Sequence, residues 1–143
     1  MILDKRAKGI SEILAAADEL RTRKEKINYL REHSSNALVD ILRGAFDPSI
    51  KWLLPEGEPP YTPSETPDLE NVLYRESKRL YLFVEGGHPN LKQTQREIMF
   101  IQMLSNLAPA DAKLLCAVKD KKFPYASINK KLVQEAFPDL IKG

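Results

Sequence analysis

The run Pro109-Ala110-Asp111-Ala112-Lys113-Leu114-Leu115-Cys116-Ala117-Val118-Lys119, the turn Asp120-Lys121-Lys122-Phe123-Pro124-Tyr125-Ala126-Ser127-Ile128, and the run Asn129-Lys130-Lys131-Leu132-Val133-Gln134-Glu135-Ala136-Phe137-Pro138 together decide the fold class. Pro109 suits a helix's first turn, where its missing N–H would lack a partner anyway, and Asp111 suits the positive end of the dipole. Asn129 predicts a capped helix, and Pro138 ends it by biasing the preceding residue away from helical geometry. Two short helices joined at a lysine-rich corner can turn ammonium and backbone N–H groups toward one phosphate strand.

The same punctuation extends back along the chain. Ile10, Ile13, Leu14, Ala17 and Leu20 recur at helical spacing, with Ser11 as the expected N-cap. A second helix is expected over Lys24 to Glu32, burying Ile27 and Leu30. Ser34-Ser35-Asn36 caps a third, carrying Leu38, Val39, Ile41, Leu42 and Phe46, and Asp47-Pro48 stops it. Ile50, Trp52, Leu53 and Leu54 read as an apolar plug. Residues 55–68 hold five prolines in fourteen positions, which rules out regular helix and predicts a strap over the surface. A long helix is expected from Leu69 to Val84, with Leu69, Leu73, Leu80 and Val84 on one face, ended by Gly86-Gly87. Another is expected from Thr94 to Leu107. With no strand alternation and no fixed-period repeat, the expectation is a monomeric all-α domain over residues 1–143. Its six or seven short helices fall in two sets, 1–54 and 69–143, joined by the 55–68 loop.

Composition narrows the function classes. A chain of 143 residues, 43% hydrophobic and 29% charged, has an ordinary globular balance and can bury a core. No apolar run approaches the roughly 18 residues that span a bilayer, so no membrane partner is expected. Met1-Ile2-Leu3 leads at once into Asp4-Lys5-Arg6, unlike a secretory signal, and a cytoplasmic location is expected, host-cell cytoplasm if a phage encodes the chain. Cys116, the single cysteine, excludes an internal disulfide and a thiolate metal cluster, and its apolar surroundings predict a buried thiol. His33 and His88 lack the close spacing of metal ligands. Glycine-rich phosphate loops, zinc-protease helices and nucleophile elbows are absent from the sequence. No catalytic residue, metal or cofactor is expected.

The net charge of +2 conceals an uneven distribution. Residues 1–54 carry ten basic and eight acidic side chains, residues 55–90 three and seven, and residues 91–143 nine and five. The candidate contacts to a phosphate backbone are therefore Lys119, Lys121, Lys122, Asn129, Lys130 and Lys131, with Phe123 and Tyr125 between the two lysine groups. Arg21, Arg23, Lys24 and Arg43 join them from the first half, and Lys51 is equally readable as plain surface. The junction Arg21, Arg23, Lys24 and Lys26, broken by Glu25, also reads as a solvated charged face.

The order of segments resembles the N-terminal DNA-binding domain of ATP-dependent DNA ligases, especially the small phage type. The similarity runs through Ile10-Ser11-Glu12-Ile13-Leu14, Lys24-Glu25-Lys26-Ile27, Arg43-Gly44-Ala45-Phe46-Asp47-Pro48-Ser49-Ile50 and Leu69-Glu70-Asn71-Val72-Leu73. Its most specific part is Val118-Lys119-Asp120, Asn129-Lys130-Lys131-Leu132-Val133 and Phe137-Pro138-Asp139-Leu140-Ile141. The chain also resembles small proteins of large tailed phages. The ligase resemblance implies a non-catalytic module that grips double-stranded DNA, nicked or intact, through its phosphates with little base readout. Ser127 stands where the family often has glycine, and Asn129 where it usually has Ser or Thr. The adenylated Lys-x-Asp-Gly motif occurs nowhere in the sequence, so the chain is not expected to react with ATP or join DNA ends by itself. The acidic middle and the proline-rich loop with Tyr61 support a different class: an adaptor or inhibitor that binds a replication, transcription or defence protein through the same scaffold.

Overall fold

Residues 8–141 are described by a computed structural model, and their regular structure consists of helices. In chain order these are α1 (Ile10–Glu19), α2 (Arg23–Glu32), α3 (Asn36–Phe46), α4 (Val72–Glu76), a 3-10 helix (Ser77–Phe83), α5 (Gln93–Ser105), α6 (Pro109–Lys119) and α7 (Lys130–Ala136). The chain is all-α, as its periodicity predicts. Among the described residues, strand-like pairing is limited to one isolated antiparallel bridge between Trp52 and Val84. The opening Asp4-Lys5-Arg6 lies outside these residues.

The centre is α3. Leu38, Ile41, Leu42 and Ala45 fall at i, i+3, i+4 and i+7 and are all buried, giving one apolar stripe that packs on α4, the 3-10 helix and α6. Full burial of each Leu or Ile contributes about 1.5–3 kcal/mol. The Ser35 hydroxyl accepts the Leu38 N–H at 3.1 Å, and Asp47 closes the helix before Pro48. Because α1 also packs on α6, helices from both sides of the proline-rich segment share one hydrophobic core.

Two expectations are corrected. Gly9 caps α1 rather than Ser11. Ser11 is buried one residue inside the helix, and its backbone N–H donates to Asp111 Oδ1 at 3.0 Å, 100 positions away in sequence. The orphan first-turn donor is satisfied by a distant carboxylate, which a local cap pattern cannot show. Likewise, the long helix expected over Leu69 to Val84 is one α-turn running into a seven-residue 3-10 helix. With three residues per turn, Ser77, Leu80 and Phe83 align, and all three are buried. The Ser77 hydroxyl donates to Tyr74 O at 3.1 Å, a local bond that competes with regular helix. Val84 then leaves as extended backbone. Leu53 N–H donates to Phe83 O and Glu85 N–H to Lys51 O, both at 2.8 Å. Gly87 is required here, since a Cβ would sit 1.8 Å from Tyr81 O.

Asp111 gives a direct test of this packing. It is fully buried, and its Oδ2 has no hydrogen-bond partner among the described residues. Burial pushes its carboxyl above the ordinary value, the Ser11 bond opposes this, and the charges of Glu12 and Glu70 add to the rise. A carboxyl with a raised folded value is held protonated more readily in the native state, so its stability contribution grows as pH falls through that value. Asp111→Asn keeps an acceptor for Ser11. Asp111→Ala strands that N–H and should cost about 1–3 kcal/mol, more than the Asn variant. Between pH 7 and pH 4.5 the parent should gain stability relative to Asp111→Asn in thermal melts. A relative loss would mean that the buried charge is stabilising.

Candidate nucleic-acid interface

The lysine-rich corner is built by the end of α6. Lys121 adopts a left-handed backbone (φ 58°), unusual for a side chain with a Cβ, and its N–H donates to Val118 O while that of Lys122 donates to Ala117 O. The turn directs the three lysines to different neighbours. Lys119 is 6% exposed, and its ammonium donates to Pro55 O at 2.9 Å, Gly57 O at 2.7 Å and Asp120 Oδ1 at 2.7 Å. All three ammonium protons are engaged, so the expectation of a phosphate contact at Lys119 is corrected: it latches the proline-rich strap, helped by Gly57 N–H donating to Asp120 Oδ2 at 3.1 Å.

Lys121 is exposed, but two of its three ammonium protons are taken within the fold. Its Nζ donates to Gly44 O at 2.6 Å and Asp47 O at 3.0 Å, at the negative C-terminal end of α3, and burial lowers its pKa. Lys122 remains exposed, pairing loosely with Glu56 at 3.3 Å. Phe123 and Tyr125 turn inward: Phe123 packs against Phe46 with ring centroids 4.9 Å apart and against Tyr125 at 5.6 Å.

The second lysine group lies elsewhere, because α7 packs on α2. Asn129 acts as a cap, its side chain accepting the Leu132 N–H at 2.9 Å. That bond uses the side-chain oxygen, whereas a phosphate, itself an acceptor, would have to be met by the Nδ2 donor; seven residues make too short a helix for its dipole to add much. Lys131 is exposed and Lys130 half-buried on the same helix. Facing them across the junction, Arg23 holds Glu135 through Nη2 at 2.8 Å and Nε at 3.0 Å. The pairing raises the Arg23 pKa and lowers that of Glu135. Arg31, absent from the sequence-based candidates, donates to Ala136 O at 3.0 Å and Glu135 O at 2.8 Å and so caps the C-terminus of α7. Arg23, Lys24, Arg31 and Glu135 line a cleft of about 490 Å³ with Ile27 and Asn28. Arg21 is exposed just before α2.

Lys26 and Ser127 tie α2 and the turn before α7 to the end of α1. Lys26 is 8% exposed, and its ammonium donates to Asp18 O at 2.9 Å, Leu20 O at 2.6 Å and Ser127 Oγ at 3.0 Å. Ser127 N–H donates to Asp18 Oδ1 at 3.0 Å, and its hydroxyl makes a short bond to the same oxygen. Ser127 is therefore tied inward to the end of α1. Of the remaining candidates, Arg43 is exposed on α3 beside Asp40, and Lys51 is exposed next to Trp52.

The structure thus brings Arg23 and Lys24 to a cleft beside α7, the helix that carries Lys130 and Lys131, whereas Lys119 and Lys121 reach the strap and the end of α3 and Lys122 pairs with Glu56. Among the described residues no group of His, Cys, Asp and Glu could hold a metal, and no helix is long and apolar enough to cross a membrane. Burial pushes the Cys116 thiol up to about 11, leaving negligible thiolate at neutral pH. No curated protein and no solved structure matches the chain. Residues 13–124, most of its length, match the model of DUF6433, a family of unknown function, and the protein accordingly belongs to that family.

Proposed function

We propose that the chain is a non-catalytic module that binds duplex DNA through its phosphates, in the manner implied by its resemblance to the ligase DNA-binding domain, and that the contact surface is the α2/α7 junction. The observation behind this reading is the packing of α2, which carries Arg23 and Lys24, on α7, which carries Lys130 and Lys131, beside a cleft bordered by two arginines. Arginine and lysine on adjoining helices can follow a phosphate strand without reading bases. Glu135 moderates the charge by pairing with Arg23, so binding should be of moderate strength and sensitive to salt.

The test is titration of intact and nicked duplex across a salt series, comparing the parent with Lys24→Ala/Lys131→Ala. Both side chains are exposed, so the double variant should keep its melting temperature, bind all sequences more weakly, and flatten the log-log salt dependence by about two units. Unchanged affinity at low salt would remove this face from the interface. Undetectable binding by the parent would remove the DNA reading altogether.

A further inference from the structure

The ring of Trp52 lies in a furrow that the DNA reading does not use. Its indole N–H donates to Gly44 O at 3.0 Å, and its ring sits so close to Gly44 that a Cβ there would be 2.7 Å from it. Two clefts of about 230 and 560 Å³ adjoin at Trp52 and Ile50, which line both. Leu80, Tyr81 and Val84 line the first cleft, and Phe46 and Pro48 the second. Tyr81 is 52% exposed, one of only two large hydrophobic side chains among the described residues left open to solvent to that degree.

The rim is basic. Arg43 and Lys78 border the first cleft and Lys51 the second, all three exposed. Asp40, half-buried and facing Arg43, is the one carboxylate among the lining residues of the two clefts. We infer that this furrow docks a short acidic segment of another protein, with an apolar side chain seated between Trp52 and Tyr81 and flanking carboxylates on Arg43, Lys78 and Lys51. Apolar walls with a few charged groups at the edge suit such an anchor, and opposite charge steers its approach. Single-stranded nucleic acid would need open aromatic faces to stack bases. Here Phe46 is already packed against Phe123 and Trp52 lies on Gly44, which leaves Tyr81 as the open ring of the lining, too few for stacking successive bases.

Trp52 is the only tryptophan in the chain, so its emission reports directly on occupancy. A random peptide display library panned on the full chain, with Tyr81→Glu/Lys78→Glu as counter-selection, supplies the probes. Selected peptides should share an apolar residue flanked by Asp or Glu, shift Trp52 emission saturably, and lose at least tenfold in affinity on that variant. If that variant fails to melt cooperatively, Arg43→Glu/Lys51→Glu, altered at exposed positions, takes its place. Lys24→Ala/Lys131→Ala should bind the peptides like the parent, which separates this site from the DNA face. Selected peptides without acidic residues, peptides that bind parent and variant equally, or oligo(dT) that shifts Trp52 emission and displaces the peptide would each overturn the proposal.

Discussion

Replacing Lys119 with methionine should lower the unfolding free energy by about 3 kcal/mol and expose the 55–68 strap to protease, while leaving DNA binding by the folded protein unchanged. Its ammonium is held by Pro55 O, Gly57 O and Asp120 Oδ1, and its side chain is 1% exposed. Methionine keeps most of the stem but leaves two carbonyls and a mostly buried carboxylate without their cation. Breaking a buried pair from one side costs roughly 3–5 kcal/mol, and the strap residues are exposed enough for water to restore part of it. Urea melts should show the loss, and a melting temperature lower by roughly 10 °C should accompany it. Glu-C cleavage after Glu56 should accelerate, since Gly57 is held by this latch and by Asp120 Oδ2. A variant as stable and as protease-resistant as the parent would show that the strap is not anchored here. A drop of about one unit in the salt slope would return Lys119 to the DNA interface.

The same lysine marks where the sequence stops being legible. Caps that act within three residues could be read directly: Ser35 on Leu38 N–H and Asn129 on Leu132 N–H lie at the predicted positions. The apolar stripe of α3 and the stop at Asp47-Pro48 were equally plain, because period and proline sterics are local facts. A lysine's destination is set by carbonyls supplied from elsewhere in the chain. Lys26, Lys119 and Lys121 look like any surface cation in sequence, yet each ties down carbonyl oxygens, and those reached by Lys119 and Lys121 lie 62 to 77 residues away. For this reason the candidate corner divides into structural clamps and exposed cations. Lys24 and Lys131 belong to the second group, and nothing in their local pattern distinguishes them from the first.

Phe83→Ala should be the most damaging single substitution in the second half of the chain, at about 3–5 kcal/mol. Phe83 is fully buried, meets Phe100 edge-on with ring centroids 5.2 Å apart, and ends the 3-10 helix just where Leu53 N–H takes its carbonyl. Truncation loses the transfer energy of a ring, leaves a cavity beside Phe100, and removes an aromatic contact worth about 0.5–1.5 kcal/mol within that total. The comparison with Val84 makes the result diagnostic of backbone geometry. In one regular α-helix over Leu69 to Val84, Val84 joins the stripe of Leu73 and Leu80 and Phe83 falls to its flank, so Val84→Ala should be the costlier change. In the tighter helix, Ser77, Leu80 and Phe83 align instead, and Val84 is half-buried extended backbone outside it. Tyr81→Ala, at a half-exposed position, should cost less than about 1 kcal/mol. Urea unfolding of the three variants should therefore rank them Phe83, Val84, Tyr81 in order of loss. If Val84→Ala proved more damaging than Phe83→Ala, the 3-10 assignment would fail, and with it the placement of Tyr81 and Leu80 along the Trp52 furrow.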